Sequence, residues 1–236
     1  MERGKKLEYE YTSEELDKMM NKFYKMMETH KIIDGIDEGI LIVLNKDTGF
    51  TIENTRPLFL INDERKILCH IILNRIDKKI NEYLTKNQNG FPASRSDIAI
   101  AYAAQFKLTS EIYERGFEME KTDMSENYNE LDRNLLLKIL EEEVQLDIDG
   151  LRLVRVMIAN LKLRMKVGNM FGKYFPTSVG MPQCMGLSPK LFLVYIEYIS
   201  RRFKRESDRQ AKTWDLKLSY ADDFAYFFIG GEAKKL

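Results

Sequence analysis

Residues 216–228, LKLSYADDFAYFF, set two adjacent aspartates, Asp222 and Asp223, between two runs of strand-forming residues. Leu216, Leu218 and Tyr220 alternate with Lys217 and Ser219, and Phe224, Tyr226, Phe227 and Phe228 follow at once. The acids therefore fall at a tight turn of a β-hairpin. Two like charges side by side raise each other's pKa unless a cation or water screens them. One reading is a solvated hairpin tip, where Asp-Asp is common. The other is a divalent-metal site, because hard cations such as magnesium take carboxylate oxygens. The second reading needs a further carboxylate from elsewhere in the chain.

With 236 residues, 44% hydrophobic and 31% charged, the chain can bury a sizeable core in one or two domains. Cys69 and Cys184 form no CxxC, and His30 and His70 are the only histidines, so neither a disulfide framework nor a structural zinc site is expected. That usage fits an intracellular, reducing compartment, without distinguishing nucleus from cytoplasm. The N-terminus, MERGKKLEYEYTSEELDKMM, lacks the apolar core of a signal peptide, and no apolar run approaches the length of a membrane span. A soluble protein with no membrane partner is the expectation.

The chain is neutral overall but unevenly so. Residues 151–217 hold fourteen Lys or Arg against four acids (Glu197, Glu206, Asp208 and Asp215), a net of +10 that the rest of the chain balances at −10. Such asymmetry is what a phosphate-binding face leaves in sequence, and solvated helix and strand faces are the plain alternative. Within this segment LKLRMKV, residues 161–167, alternates strictly and reads as a strand with Lys162, Arg164 and Lys166 on one face. Arg201 and Arg202 open a further basic cluster that extends to Arg209.

No repeat, low-complexity tract or flexible linker interrupts the chain. A helix is expected over 13–30, capped by Thr12 or Ser13. Residues 39–61 read as strand, polar turn and strand, with Lys46 at the tip and Arg56 entering the second strand. A long helix follows over 63–85, with Ile67, Leu68, Ile71, Ile72, Ile76, Ile80 and Leu84 on its apolar face, and another over 96–115. FEMEKTD reads as a strand ending at Asp123, Asp132 as the cap of a helix carrying Leu135 to Val144, and 150–160 as a helix. Ser188-Pro189 opens a helix to about 206, Ser as cap and Pro in the first turn. This order of helices and strands gives an α+β class.

Asp123 can supply the missing carboxylate. It ends a strand, as the Asp222–Asp223 pair does, and two such ends on neighbouring strands would converge. Two divalent ions ~3.5–4 Å apart would lower the pKa of an attacking hydroxyl and stabilise a leaving pyrophosphate. For Asp123 alone, a turn or helix cap is the other reading.

Between these acids lies TSVGMPQCMGLSPKLFLVYIEYISRRF, which resembles the G-x-P-Q-G-x-x-L-S-P-x-L-F block of reverse transcriptases, as LKLSYADD resembles their Y-x-D-D hairpin. EKTDMSENYNELDRNLLLKIL is similar to their first acidic block, and NTRPLFLINDERKIL and NQNGFPASRS to fingers blocks of non-LTR (LINE-type) retrotransposon enzymes. The five blocks run in order over about residues 35–230. The resemblance implies a right-hand polymerase with fingers and palm, an antiparallel palm sheet packed on helices, and RNA-directed DNA synthesis by nucleotidyl transfer. Asp123, Asp222 and Asp223 would be the catalytic and metal-binding triad, holding two Mg2+ or Mn2+ ions. Lys46 and Arg56 would grip the incoming deoxynucleoside triphosphate through its charge. Tyr128 would close the sugar pocket against a ribose hydroxyl, a core aromatic being its other reading, and Pro182 and Gln183 would lie along nucleotide and template. Lys162, Arg164, Lys166, Arg201 and Arg202 would contact the RNA template and DNA primer.

Residues 1–34 form a helical extension in this reading and 35–236 the fingers and palm, with the thumb expected to be absent or supplied by a longer natural chain. Cys184 and Ser94 replace glycines of the family pattern, and Asn127 and Asn129 replace its Ala and Asp. Glycine in such loops permits close backbone approach. A remnant that binds nucleic acid without polymerising, and an RNA-dependent RNA polymerase palm, stay open as alternatives.

Overall fold

The computed structural model describes residues 11–33, 35–45, 55–85, 117–123, 127–159, 161–182, 185–209, 216–220 and 223–229. The helix expected over 96–115, and with it Ser94, lies outside the described residues, as do Lys46, Gln183, Cys184 and Asp222.

Helix α1, Ser13–Thr29, opens with a reciprocal cap: Thr12 Oγ1 accepts from the Glu15 amide, and the Glu15 carboxylate accepts from the Thr12 amide. Met19, Phe23 and Met26 recur at helical spacing on its buried face and join the main core, and Lys22 pairs with Glu64 of α2 at 2.8 Å. Helix α2, Asp63–Tyr83, is capped by Asn62, whose side chain accepts from the Arg65 amide. It buries Leu68, Cys69, Ile72, Ile76, Ile80 and Tyr83. Ile71, expected on that face, is exposed: the buried stripe is centred one turn-step away and takes in Cys69 instead.

Two sheets follow. The larger joins β1 (Glu38–Asn45), β2 (Thr55–Ile61), β4 (Leu161–Val167), β5 (Met170–Phe171) and β6 (Phe175–Thr177). β1 and β2 pair antiparallel, β1 and β4 pair parallel, and β5 and β6 both pair antiparallel with β4. Alternation along β4 buries Leu161 and Leu163 and turns Lys162, Arg164 and Lys166 to the other face. The smaller sheet is antiparallel, in the order β3 (Phe117–Asp123), β8 (Asp223–Ile229), β7 (Leu216–Tyr220).

Helix α3, Asn127–Glu130, is a single turn, and α4, Arg133–Glu142, is capped by Asp132, whose carboxylate accepts from the amides of Asn134 and Leu135. Helix α5 spans Ile148–Ala159 and α6 spans Ser188–Arg209. Ser188 is the first residue of α6 and its hydroxyl donates to the Pro182 carbonyl at 2.6 Å, so it ties the preceding loop to the helix instead of serving as the expected cap. Leu191, Phe192, Leu193, Val194 and Ile196 make α6 the most deeply buried helix face. The class is α+β, as expected.

Candidate functional site

The smaller sheet joins positions distant in sequence. Asp123 and Asp223 are direct antiparallel partners, and Asp223 is also paired with Tyr220 across the hairpin. Directly opposed residues of an antiparallel pair have Cα atoms about 4.5–5.5 Å apart. The end of β3 at Asp123 and the start of β8 at Asp223 therefore lie side by side, as expected of two strand ends on neighbouring strands. Asp222, between Tyr220 and Asp223, lies outside the described residues. No helix among the described residues is long and apolar enough to cross a membrane.

A second cluster forms where α3 and α4 meet the loop leading into α6. The Gly180 amide donates to the Leu131 carbonyl at 2.9 Å and the Met181 amide to the Tyr128 carbonyl at 2.6 Å. Gly180 takes φ 74°, a conformation that side chains rarely adopt, which explains glycine at this position of the middle block. Arg133 locks the arrangement: its Nε donates to Gly180 O at 2.7 Å, one terminal nitrogen to Thr177 O at 2.6 Å, and the other to Thr177 Oγ1 and Val179 O. Burial holds the Arg133 pKa below the usual arginine value. Tyr128, Arg133, Phe59 and the 177–182 loop line a cavity of about 90 Å³ with Leu161 at its floor. The Tyr128 ring stacks on Phe192 of α6, with centroids 4.2 Å apart and planes at 17°. Tyr128 is thus both a core contact and a wall of the cavity, and Pro182 is buried beside it.

The predicted basic residues divide by environment. Lys162 pairs at 2.8 Å with Asp37, whose side chain is buried. Arg201 pairs with buried Glu197 at 2.9 Å, donates to the Tyr83 carbonyl and lies over the Tyr83 ring at 4.1 Å. Both are committed to the fold. Burial pushes the Tyr83 hydroxyl up to about 12. Arg202 is exposed and donates to the Tyr198 hydroxyl. Arg164 and Lys166 touch aromatic rings and have no carboxylate partner among the described residues. Arg56 is in β2 opposite Leu44, and Lys46 lies outside the described residues.

Two functional cations escaped the sequence reading. Arg65 is fully buried, donates to Ile36 O at 2.8 Å and to Met157 O, and so ties α2 to the start of β1 and to α5. Desolvation lowers its pKa, against the raising influence of Cys69 and Asp37. Arg133 does the same for the middle loop. The signal was periodicity: Arg65 precedes Leu68, Cys69 and Ile72, and Arg133 precedes Leu136, Leu137 and Leu140, at the i, i+3, i+4, i+7 spacing of a buried stripe.

No protein-family model matches the chain. Its fold is similar to part of telomerase. It superposes on apo telomerase from Candida tropicalis truncated from its C-terminal domain with a TM-score of 0.55 and 14% identity, covering 92% of this chain and 49% of that one. Against telomerase from Candida tropicalis in complex with a TWJ fragment of telomeric RNA the TM-score is 0.59 at 13% identity, covering 94% and 41%. The corresponding Candida albicans complex gives 0.54 at 13% identity, covering 92% and 43%. The chain therefore spans less than half the length of each of these telomerases, and what it shares with them at this identity is the fold.

Proposed function

We propose that this chain carries the fingers and palm of a reverse transcriptase, of the non-LTR retrotransposon type, and performs RNA-templated addition of deoxynucleotides to a primer. The observation that carries the reading is the register pair Asp123–Asp223, which joins two acid positions of a nucleotidyl-transfer pattern within a telomerase-like fold. Asp123, Asp222 and Asp223 offer only hard oxygen donors, the set that suits magnesium or manganese. Bound there, two such ions would activate the primer hydroxyl and neutralise the leaving pyrophosphate. The chain's own residues do the rest. Lys46 and Arg56 bind the triphosphate, Tyr128 bounds the sugar, and Pro182 and Gln183 hold nucleotide and template in line for attack. Arg133 fixes the loop that presents them.

The test is primer extension on an RNA template with magnesium and deoxynucleotides. The parent chain extends the primer and Asp222→Ala does not. Extension that survives Asp222→Ala contradicts the aspartate site, and silence of both proteins contradicts polymerisation by this chain.

A further inference from the structure

The larger sheet has two chemically different faces. One buries Leu161, Leu163 and Ile61 and, through Phe59 and Leu161, borders the Tyr128 cavity. The other carries Arg164 and Lys166 beside Ile40 and Ile42, their parallel partners on β1. Phe171, opposite Lys166 on β5, shares that outer face. Arg164 lies between two rings, 4.3 Å from the Phe171 centroid and 5.0 Å from that of Tyr174, and Lys166 lies 5.5 Å from Phe171. Both rings stay open, Phe171 at 47% and Tyr174 at 42% of full exposure.

Charge on this face is unbalanced. Among the described residues its acids are engaged: Asp37 by Lys162, and Glu38 by the Tyr174 hydroxyl, which donates to it at 2.8 Å and is held above its usual pKa by that bond. Arg164, Lys166 and exposed Lys173 form no ion pair among the described residues, and Arg164 Nε is buried without a hydrogen-bond partner. Open rings held beside unpaired cations are what a flexible polyanion with π-faces requires, because phosphates take the charge and bases take the rings. A duplex, whose bases are already stacked, can use only the charge.

We propose that the β4–β5–β6 face is a docking platform for a single-stranded nucleic acid, with Phe171 and Tyr174 stacking bases and Arg164, Lys166 and Lys173 meeting phosphates. It lies on the opposite side of the sheet from the Tyr128 cavity and does not depend on the catalytic reading.

The experiment measures binding of the full chain to a fluorescent twelve-nucleotide oligouridine, with chelator present to remove divalent ions. Phe171→Ala and Tyr174→Ala each weaken binding about 5- to 150-fold, the worth of one stacked base, and Phe171→Trp restores it. Lys166→Ala and Lys173→Ala each flatten the slope of log affinity against log salt by about 0.7. Lys138→Ala, at an exposed α4 cation outside both proposed sites, keeps the parental affinity, and circular dichroism keeps its parental form in these surface variants. Parental affinity in Phe171→Ala, tighter binding to the same sequence as duplex, or a dimer that Phe171→Ala disperses while RNA binding stays put would each overturn the platform. Equal weakening by Lys138→Ala would also overturn it, by showing that a cation anywhere on the surface serves as well as this face.

Discussion

Arg133 and Arg164 carry the same guanidinium into opposite situations. Arg133 is buried and spends its donors on the carbonyls of Thr177, Val179 and Gly180 and on the Thr177 hydroxyl, so its charge organises the protein's own backbone. Arg164 stands on the outer sheet face between two half-open rings, with no carboxylate and no partner for its Nε among the described residues. The same division separates Arg65, Lys162 and Arg201 from Lys166 and Lys173. The cations thus fall into two populations, and a buried partner, whether a backbone carbonyl or the carboxylate of Asp37 or Glu197, tells those that build the fold from those left for a partner.

The largest effect that would break this comparison is on stability. Arg133→Met strands the buried Gly180 carbonyl and the half-buried Thr177 carbonyl and is expected to cost about 2 kcal/mol or more, whereas Lys166→Ala should stay within about 0.5 kcal/mol. Urea unfolding of the two variants measures both, and equal costs would erase the distinction. Arg133→Lys should recover little, since an ammonium cannot reproduce the planar fork that reaches three residues at once.

Cys69 sharpens the same contrast between interior and surface. It is fully buried on α2, and burial pushes its thiol up to about 11 from an ordinary 9.0, against the lowering influence of Arg65. A folded-state value above the unfolded one means that its contribution to stability is complete below about pH 9 and is lost as the pH rises toward 11. Residue-resolved alkylation at pH 8 should therefore label Cys69 only as fast as the chain opens, and denaturant should release it. Rapid labelling of the native protein would show that the helix face is less closed than described.

A smaller effect concerns the start of α5. The Asp147 carboxylate accepts from the Gly150 amide, which with lesser help from Arg75 holds it below the usual carboxylate range. Asp147→Ala should cost roughly 1 kcal/mol at neutral pH. Because the folded pKa is depressed, that difference is present above about pH 4 and shrinks as the pH falls through the folded value. Melting temperatures of the two proteins at pH 7 and pH 3 would show it, and a constant difference would argue against the cap.

Much of this was legible in sequence because local rules set it. Period-two alternation located β4 and the hairpin strands, period-3.6 stripes located α2 and α4, and the caps at Thr12 and Asp132 were readable as residue types. The pairing of the strand that ends at Asp123 with the strand that carries Asp223 was also anticipated, since both acids were read at strand ends. Less visible was anything decided by tertiary partners. The parallel pairing of β1 with β4 joins strands more than a hundred residues apart, and no local pattern announces it. Ser188 looks like a cap until the Pro182 carbonyl is found in reach of its hydroxyl. Lys162 and Arg201 look like phosphate ligands until Asp37 and Glu197 are found beside them. Arg65 and Arg133 were readable in principle, as charges in phase with an apolar stripe.

The central proposal is that Asp123 and Asp223, about a hundred residues apart in sequence and paired across the smaller sheet, belong to one reacting site. Single-turnover addition of one deoxynucleotide to a primer tests it, with Asp123→Asn, Asp223→Asn and the double variant compared under the same magnesium concentration. Residues that act as a unit lose their effect together, so each single variant should lower the rate by about a thousandfold or more and the double variant should fall no further. Losses that multiply in the double variant, or a parental rate in either single one, would contradict a shared site.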